Sequence, residues 1–290
     1  MVSDDSNYAK WRVPVIEHSS IERFETRHTI GDGVHRIWLG ESHLDILVKQ
    51  RKLGNVLVVF GGAVSREEGK PPFFSGVGLT DKMPFSLVAV SDPAFTVDGE
   101  ISIGWYTGIR GEPATQAIAR AIDAILEKWG KSKAISLGGS AGGFASLSIA
   151  PLLRGKNDVV VMNPQTDIYK YHYRLAVDRW KSLCKDEESN TPTNLVSLFA
   201  GLRQKPRVIF FQNRSDIHRE SHAKPFYKVM GNYGTVVEGD WGLGHVPPPT
   251  SLLAAYLIPL LLPDPVAVLV EKISPRWRQL AIEKVSSWLD

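Results

Sequence analysis

The stretch AISLGGSAGGFAS, Ala134 to Ser146, decides the fold of this chain. Its opening residues Ala134, Ile135 and Leu137 are apolar and suit a buried strand, while residues 144–149 read as a helix built on small side chains. Between them lies Gly138-Gly139-Ser140-Ala141-Gly142, a G-x-S-x-G pentapeptide. A strand that turns this sharply into a helix presents Ser140 Oγ at the strand's carboxyl end. Gly138 and Gly142 carry no Cβ, so the neighbouring strand and helix can close on the turn. The same glycine-rich turn also suits a phosphate at a helix N-terminus, and the rest of the chain has to decide between the two.

Working outward, short apolar runs that do not alternate occur at residues 56–60 (VLVVF), 87–90, 134–137, 159–162, 208–211 and 235–237. Parallel strands covered on both faces have this appearance. Helical patterns at 114–129, 142–153, 195–202, 218–230 and 251–260 fall between them. Such alternation predicts an α/β architecture, a doubly wound and mostly parallel sheet with right-handed crossovers. Three runs upstream, at 24–30, 35–39 and 44–48, are separated by short glycine-bearing turns and predict antiparallel strands. Residues 1–22 read as an extended lead-in. Residues 167–205 are rich in tyrosine, tryptophan and charge, and they read as a cap inserted into one domain spanning 1–290. Residues 275–289 predict a final amphipathic helix.

Composition narrows the function classes. The apolar fraction of 43% and charged fraction of 22% are ordinary for a globular enzyme. A net charge of +3, without a basic run interleaved with aromatics, argues against nucleic acid. The longest apolar stretch, 252–270, is broken by Pro259, Pro263 and Pro265, which argues against a membrane span. No signal peptide is evident at the start. Cys184 is the only cysteine, so no intrachain disulfide is expected and a reducing, cytoplasmic setting fits.

A serine hydroxyl needs a base to take its proton, and the base needs an orienting carboxylate. In a doubly wound sheet, reacting groups gather beyond the carboxyl ends of the strands. After residues 208–211 comes Gln212-Asn213-Arg214-Ser215-Asp216, and after 235–238 comes Gly239-Asp240-Trp241-Gly242-Leu243-Gly244-His245. Ser140, Asp216 and His245 thus each follow a strand, in the chain order Ser…Asp…His. Asp240 competes with Asp216 for the acid position, but it sits on the histidine's own loop, where a carboxylate more often makes a turn contact.

Over about residues 55–260 the chain resembles the α/β-hydrolase fold family. The resemblance implies Ser140 as nucleophile, His245 as general base and then acid, and Asp216 as its orienter. It also implies an oxyanion hole made by the Ala141 amide and by Gly62 or Ala63, directly after VLVVF. Phe60 stands where the family's longer oxyanion motif has a histidine, which leaves the choice between Gly62 and Ala63 open. A fainter resemblance links Asp92-Pro93, Trp105-Tyr106-Thr107-Gly108, Asn163-Pro164-Gln165 and the segment from Gly244 to Pro248 with hydrolase-like proteins of bacterial capsule and surface-glycan pathways. It implies an acylated sugar as substrate.

These residues predict a serine hydrolase acting on a small or glycan-linked carboxylic ester, without cofactor or metal. An acyltransferase using the same triad and a non-catalytic scaffold in a glycan-processing complex are the alternatives. His218 and His222 read as the first turns of a helix, and His172 as a surface residue of the cap. His18, His28, His35 and His43 show no metal-like spacing. Cys184 reads as a spectator, and Arg66, Glu67 and Glu68 as a solvated face. Tyr169, Tyr171, Tyr173 and Trp180 could line a sugar-sized pocket or pack the cap onto the core.

Overall fold

The computed structural model describes residues 6–67, 69–81, 84–186 and 188–263. The helix expected at 275–289 lies outside them. The chain enters through α1 (Ser6–Ala9), β1 (Val15–His18), α2 (Ile21–Glu25), β2 (Gly33–Trp38) and β3 (His43–Lys49). It continues through β4 (Leu53–Phe60), α3 (Val77–Asp81), β5 (Phe85–Val90), the small hairpin β6 (Gly108–Ile109) and β7 (Glu112–Pro113), and α4 (Ala114–Lys128). Next come β8 (Lys133–Gly139), α5 (Ser140–Ile149), β9 (Lys156–Met162), α6 (Arg174–Leu183) and α7 (Leu195–Gly201). The described part ends with β10 (Arg207–Asn213), α8 (Lys224–Met230), β11 (Gly234–Gly239) and α9 (Thr250–Leu261).

Among the described residues, nine strands join in the order β1-β2-β3-β5-β4-β8-β9-β10-β11. The β2/β3 and β3/β5 pairs are antiparallel. The remaining pairs are parallel. Apolar side chains fill both faces of the central strands, which is why their sequences do not alternate. Val56, Val58 and Phe60 join Val88 and Val90 under α2 and α4, while Leu57 and Val59 join Leu87, Ile135 and Leu137 under α9. Val159, Val161, Val208 and Phe210 carry the first face onward beneath α5, α7 and α8. After β5 the chain crosses back and adds β8 on the far side of β4, opening a crevice at the carboxyl ends of β4 and β8.

Two upstream expectations are corrected. Residues 24–30 form no strand: Ser20 Oγ accepts the Arg23 amide at 3.3 Å and caps α2, and Ile21 and Phe24 share its buried face at i, i+3. The lead-in instead contains β1, which pairs in parallel with β2 from Val15↔Val34 to His18↔Ile37. The segment between β9 and β10 leaves and returns through a narrow neck. Asp167 and Asn194 form an isolated bridge there, and Asn194 Nδ2 donates to Asp167 Oδ2 at 2.8 Å. Beyond the neck, α7 buries Leu195 and Phe199 against α8 as part of the layer that covers the sheet. Among the described residues, no helix is long and apolar enough to cross a membrane.

Candidate active site

Ser140 opens α5 with φ of 54°, a left-handed backbone in a residue that has a Cβ. That conformation costs roughly 1–2 kcal/mol, so the surroundings must enforce it. Glycines let them do so. A Cβ on Gly138 would lie 2.1 Å from the Gly142 carbonyl oxygen, and one on Gly142 would lie 2.1 Å from that of Phe60. A Cβ on Gly143 would meet Pro164 Cβ at 2.6 Å. The turn is therefore clamped between β4, β8 and the segment after β9, with Ser140 at its apex.

The loop after β4 runs alongside. A Cβ on Gly62 would sit 3.7 Å from Ser140 Cβ, so this backbone lies against the serine. The Gly61 amide donates to Tyr106 Oη at 2.7 Å and the Val64 amide to the Ser102 carbonyl at 2.9 Å. The amides of Gly62 and Ala63, between them, donate to no protein acceptor among the described residues. The Ala141 amide lies in the first turn of α5, where helix amides have no intrahelical partner. Gly62 and Ala141 are thus beside Ser140, and the choice between Gly62 and Ala63 stays open.

A second support lies behind this loop. Trp105 and Tyr106 are consecutive left-handed residues, φ 53° and 60°. The Asp92 carboxylate fixes them by accepting the amides of Ala94 (3.1 Å), Gly104 (3.1 Å) and Tyr106 (2.9 Å). Burial raises the Asp92 carboxyl to about 6 against the opposing pull of those amides. Tyr106 then reaches the Gly61 amide, and the Trp105 indole donates to Gln165 Oε1 at 2.5 Å. Gln165 Nε2 donates to Ser140 Oγ at 3.0 Å, and its backbone amide donates to the Ser140 carbonyl at 3.2 Å.

On the other side of Ser140, two asparagines fasten the loops after β10 and β11. Asn213 Nδ2 donates to the carbonyls of Gly242 and Gly244, both at 2.8 Å, and Asn163 Nδ2 donates to that of Val246 at 2.8 Å. Asp216 and His245 meet there, with His245 Nδ1 2.7 Å from Asp216 Oδ2. The other carboxylate oxygen accepts the His218 amide at 2.8 Å. Burial alone would raise the Asp216 carboxyl, but the His245 ring and the His218 amide outweigh it and hold it below the usual range. The carboxylate is therefore ionised and can only accept, which makes His245 Nδ1 the donor and leaves Nε2 as the basic nitrogen. Asp240, the rival acid, pairs instead with Arg214 at 2.6 Å on the surface. Ser140 and His245 share no hydrogen bond in this structure; such bonds commonly tighten only once substrate is present.

Further histidines gather at this point. His172 Nδ1 lies 2.8 Å from His218 Nε2, and the His218 ring lies 5.0 Å from that of His245. Burial, with help from His245 and His172 and against the pull of Asp216, lowers His218 to about 4. His222, one turn on, is buried as well and lowered to about 3, first by burial and then by His218. Asp216, His218 and His245 offer ligand atoms within 4.8 Å of one another. Both Asp216 oxygens are hydrogen-bonded and His218 Nε2 faces His172, while the buried His218 Nδ1, 3.7 Å from Asp216 Oδ1, has no hydrogen-bond partner among the described residues.

The remaining expected residues resolve individually. Trp180 is buried, packs edge-on to Trp105 at 5.8 Å and donates to Thr107 Oγ1, so it belongs to the core. Tyr171 packs on Trp105 at 5.7 Å, whereas Tyr173 is exposed. Cys184 is buried, and burial pushes its thiol up, away from the reactive thiolate. Arg66 does not belong to a solvated face; it donates to the carbonyls of Phe95, Asp98 and Gly99 and clasps the loop that ends near Ile101. His18 and His35, brought together by the β1–β2 register, are buried and 3.0 Å apart.

At the level of sequence, no family model and no curated protein matches the chain. Solved structures do. The capsule O-acetyltransferase of Neisseria meningitidis serogroup A is 12% identical, with a TM-score of 0.51, covering 74% of this chain and 88% of that one. An acetyl xylan esterase from Paenibacillus sp. R4 is 13% identical, with a TM-score of 0.53, covering 88% and 94%. A glycosylation-associated protein complex (Gap123) from Streptococcus agalactiae is 13% identical, with a TM-score of 0.55 over 74% of this chain but only 43% of the matched one. Identities this low speak to architecture alone. With the mixed sheet, its flanking helices and the glycine-clamped turn after β8, they establish that this chain has the α/β-hydrolase fold.

Proposed function

We propose that this chain is a serine esterase that cleaves carboxylic esters through an acyl-enzyme. The observation that carries the reading is the 2.7 Å contact of His245 Nδ1 with a buried, ionised Asp216, on loops flanking the left-handed Ser140. In the first half-reaction, Ser140 Oγ bonds to the ester carbonyl carbon while its proton passes to His245 Nε2. The oxyanion lies against the amides of Ala141 and of Gly62 or Ala63. The carbon–alkoxy bond then breaks, and His245 returns the proton to the departing alcohol. Water repeats the sequence on the acyl-enzyme, releasing the acid and restoring Ser140. One oxyanion donor in such a site is typically worth ~10²–10³ in rate.

For substrate, an acylated glycan is favoured. The short resemblances at Asp92-Pro93, at residues 105–108 and 163–165 and from Gly244 to Pro248 support it, and so do two structural neighbours, a capsule O-acetyltransferase and an acetyl xylan esterase. Transfer of the acyl group to a sugar hydroxyl instead of water is the second reading, supported by the first of those neighbours. Incubation with a fluorophosphonate probe tests the common first step: the adduct is expected on Ser140, and Ser140→Ala should abolish it while unfolding stays cooperative. Full labelling of the alanine variant would overturn the assignment. Acyl release measured with and without sugar acceptors then separates hydrolysis from transfer.

A further inference from the structure

From the geometry we infer that Gln165 is a catalytic residue that sets the direction of the Ser140 proton, and that Trp105 is the positioning residue that makes it do so. The inference rests on the reading of Ser140 as nucleophile. Gln165 is wholly buried, with its amide between two groups: Trp105 Nε1 on the Oε1 side and Ser140 Oγ on the Nε2 side, at 2.5 and 3.0 Å. An indole N–H can only donate. It therefore fixes the carboxamide with Oε1 toward Trp105 and Nε2 toward Ser140, because the flipped amide would put two donors face to face.

The consequence falls on the hydroxyl. Facing a donor, Ser140 Oγ must accept, so its single proton points away from Gln165 and is free to swing toward His245. A serine hydroxyl otherwise rotates to whatever acceptor is near. Oγ gains negative character while its proton is in transit to His245, and again as it leaves the acyl group in the second half-reaction. Hydrogen bonds to charged groups are roughly twice as strong as neutral ones, so the Gln165 N–H is worth more at those moments than in the resting enzyme.

Trp105 is itself held firmly. Its left-handed backbone adjoins the Tyr106 amide bound by Asp92, and its ring is buried between Tyr171 and Trp180. The backbone bond from the Gln165 amide to the Ser140 carbonyl ties the two residues at a second point. Gln165 thus cannot follow substrate; it presents one fixed donor to one fixed oxygen.

The test measures the fluorophosphonate labelling rate, kcat and KM for wild type, Gln165→Met, Gln165→Glu, Trp105→Phe and the double variant Trp105→Phe/Gln165→Met. Gln165→Met keeps the bulk without the donor and should lower both the labelling rate and kcat by roughly 10–100-fold with little change in KM. Gln165→Glu, isosteric with wild type, carries the test if the methionine variant does not fold. Its carboxylate would draw the Ser140 proton, so activity at neutral pH should fall at least as far and the optimum should move to lower pH, where the carboxyl is protonated and donates again. Trp105→Phe should cost several-fold alone and nothing further in the Gln165→Met background. Wild-type labelling with an unchanged rate in both Gln165 variants would overturn the inference and leave the esterase reading intact. Additive losses in the double variant would overturn the role of Trp105, and absence of any adduct in the wild type would remove the esterase reading itself.

Discussion

Replacing Gly142 by alanine probes the clamp on Ser140 without touching a reacting group. The added Cβ would lie 2.1 Å from the Phe60 carbonyl oxygen, 2.7 Å from the Phe60 carbonyl carbon and 2.7 Å from the Gly61 carbonyl oxygen. All three are backbone atoms, so no side chain can swing aside. Because real Cβ contacts do not fall below 3.0 Å, α5 and the end of β4 must part by about 0.9 Å at least, which forfeits packing along their shared contact. Over-packing of this kind costs about 1–3 kcal/mol. The displaced segment is the one that leads into Gly62 and Ala63, and a shift near 1 Å at a positioning element can cost ~10² in rate. Urea unfolding should show the stability loss, and fluorophosphonate labelling should slow by roughly 100-fold. Gly139→Ala is the matched control, because its Cβ would meet nothing nearer than the Met162 carbonyl oxygen at 3.5 Å. Wild-type stability and labelling in Gly142→Ala, or an equal loss in both variants, would refute the reasoning.

Two further outcomes are expected. Asp216→Asn should reduce turnover by ~10⁴ through loss of the correct imidazole tautomer, and His245→Ala should remove nearly all of it. By contrast, Asp240→Asn, which breaks only a surface pair with Arg214, should change turnover by about 2-fold or less; steady-state kinetics that rank Asp240 above Asp216 would contradict the assignment. Stability should fall in acid. His18 and His218, lowered to about 4, and His222, lowered to about 3, stay neutral in the fold but take up protons below pH ~6.5 once unfolded. Each therefore removes about 1.4 kcal/mol per pH unit as pH drops from there toward its folded value. Asp92, raised to about 6, works the opposite way: it keeps its proton in the fold where the unfolded chain has lost it, and so offsets one histidine between pH ~4 and about 6. The net slope is on the order of 3 kcal/mol per pH unit near pH 5; urea midpoints that are level from pH 7 to pH 5 would exclude it.

The sheet was legible in the sequence because its signal is local. Runs such as VLVVF and VVVM are apolar on both faces, as parallel strands covered on both sides require, and each appears within a longer strand. The turn at Ser140 was legible for the same reason: its glycines stand where a Cβ would strike backbone. Asp216 and His245 could be paired from their positions after β10 and β11 alone. What escaped reading depends on distant partners. Nothing near Gln165 reveals that its amide meets an indole 60 residues earlier, and His172 reads as a surface residue until His218, 46 residues on, is folded against it. In residues 24–30, Phe24 and Ile30 with the β-branched Thr26 and Thr29 between them imitate a strand; only the cap at Ser20 and the Ile21–Phe24 spacing mark a helix there.

The neck formed by Asp167 and Asn194 gives the fold a place to vary. Chain that departs and rejoins at one hydrogen-bonded point closes its own loop, and adding or removing residues beyond that point costs little further entropy, about 0.6 kcal/mol for each doubling of length. The register of β9 against β10 is set outside that excursion, whereas the seat of Gln165, two residues before the neck, draws on it through Tyr171 and Trp180, which pack on Trp105. Relatives of this protein could therefore vary the excursion in length and sequence, provided that they keep its Tyr171 and Trp180, the two rings that hold Trp105 in place. Grafting that segment between such proteins is a direct route to altered specificity.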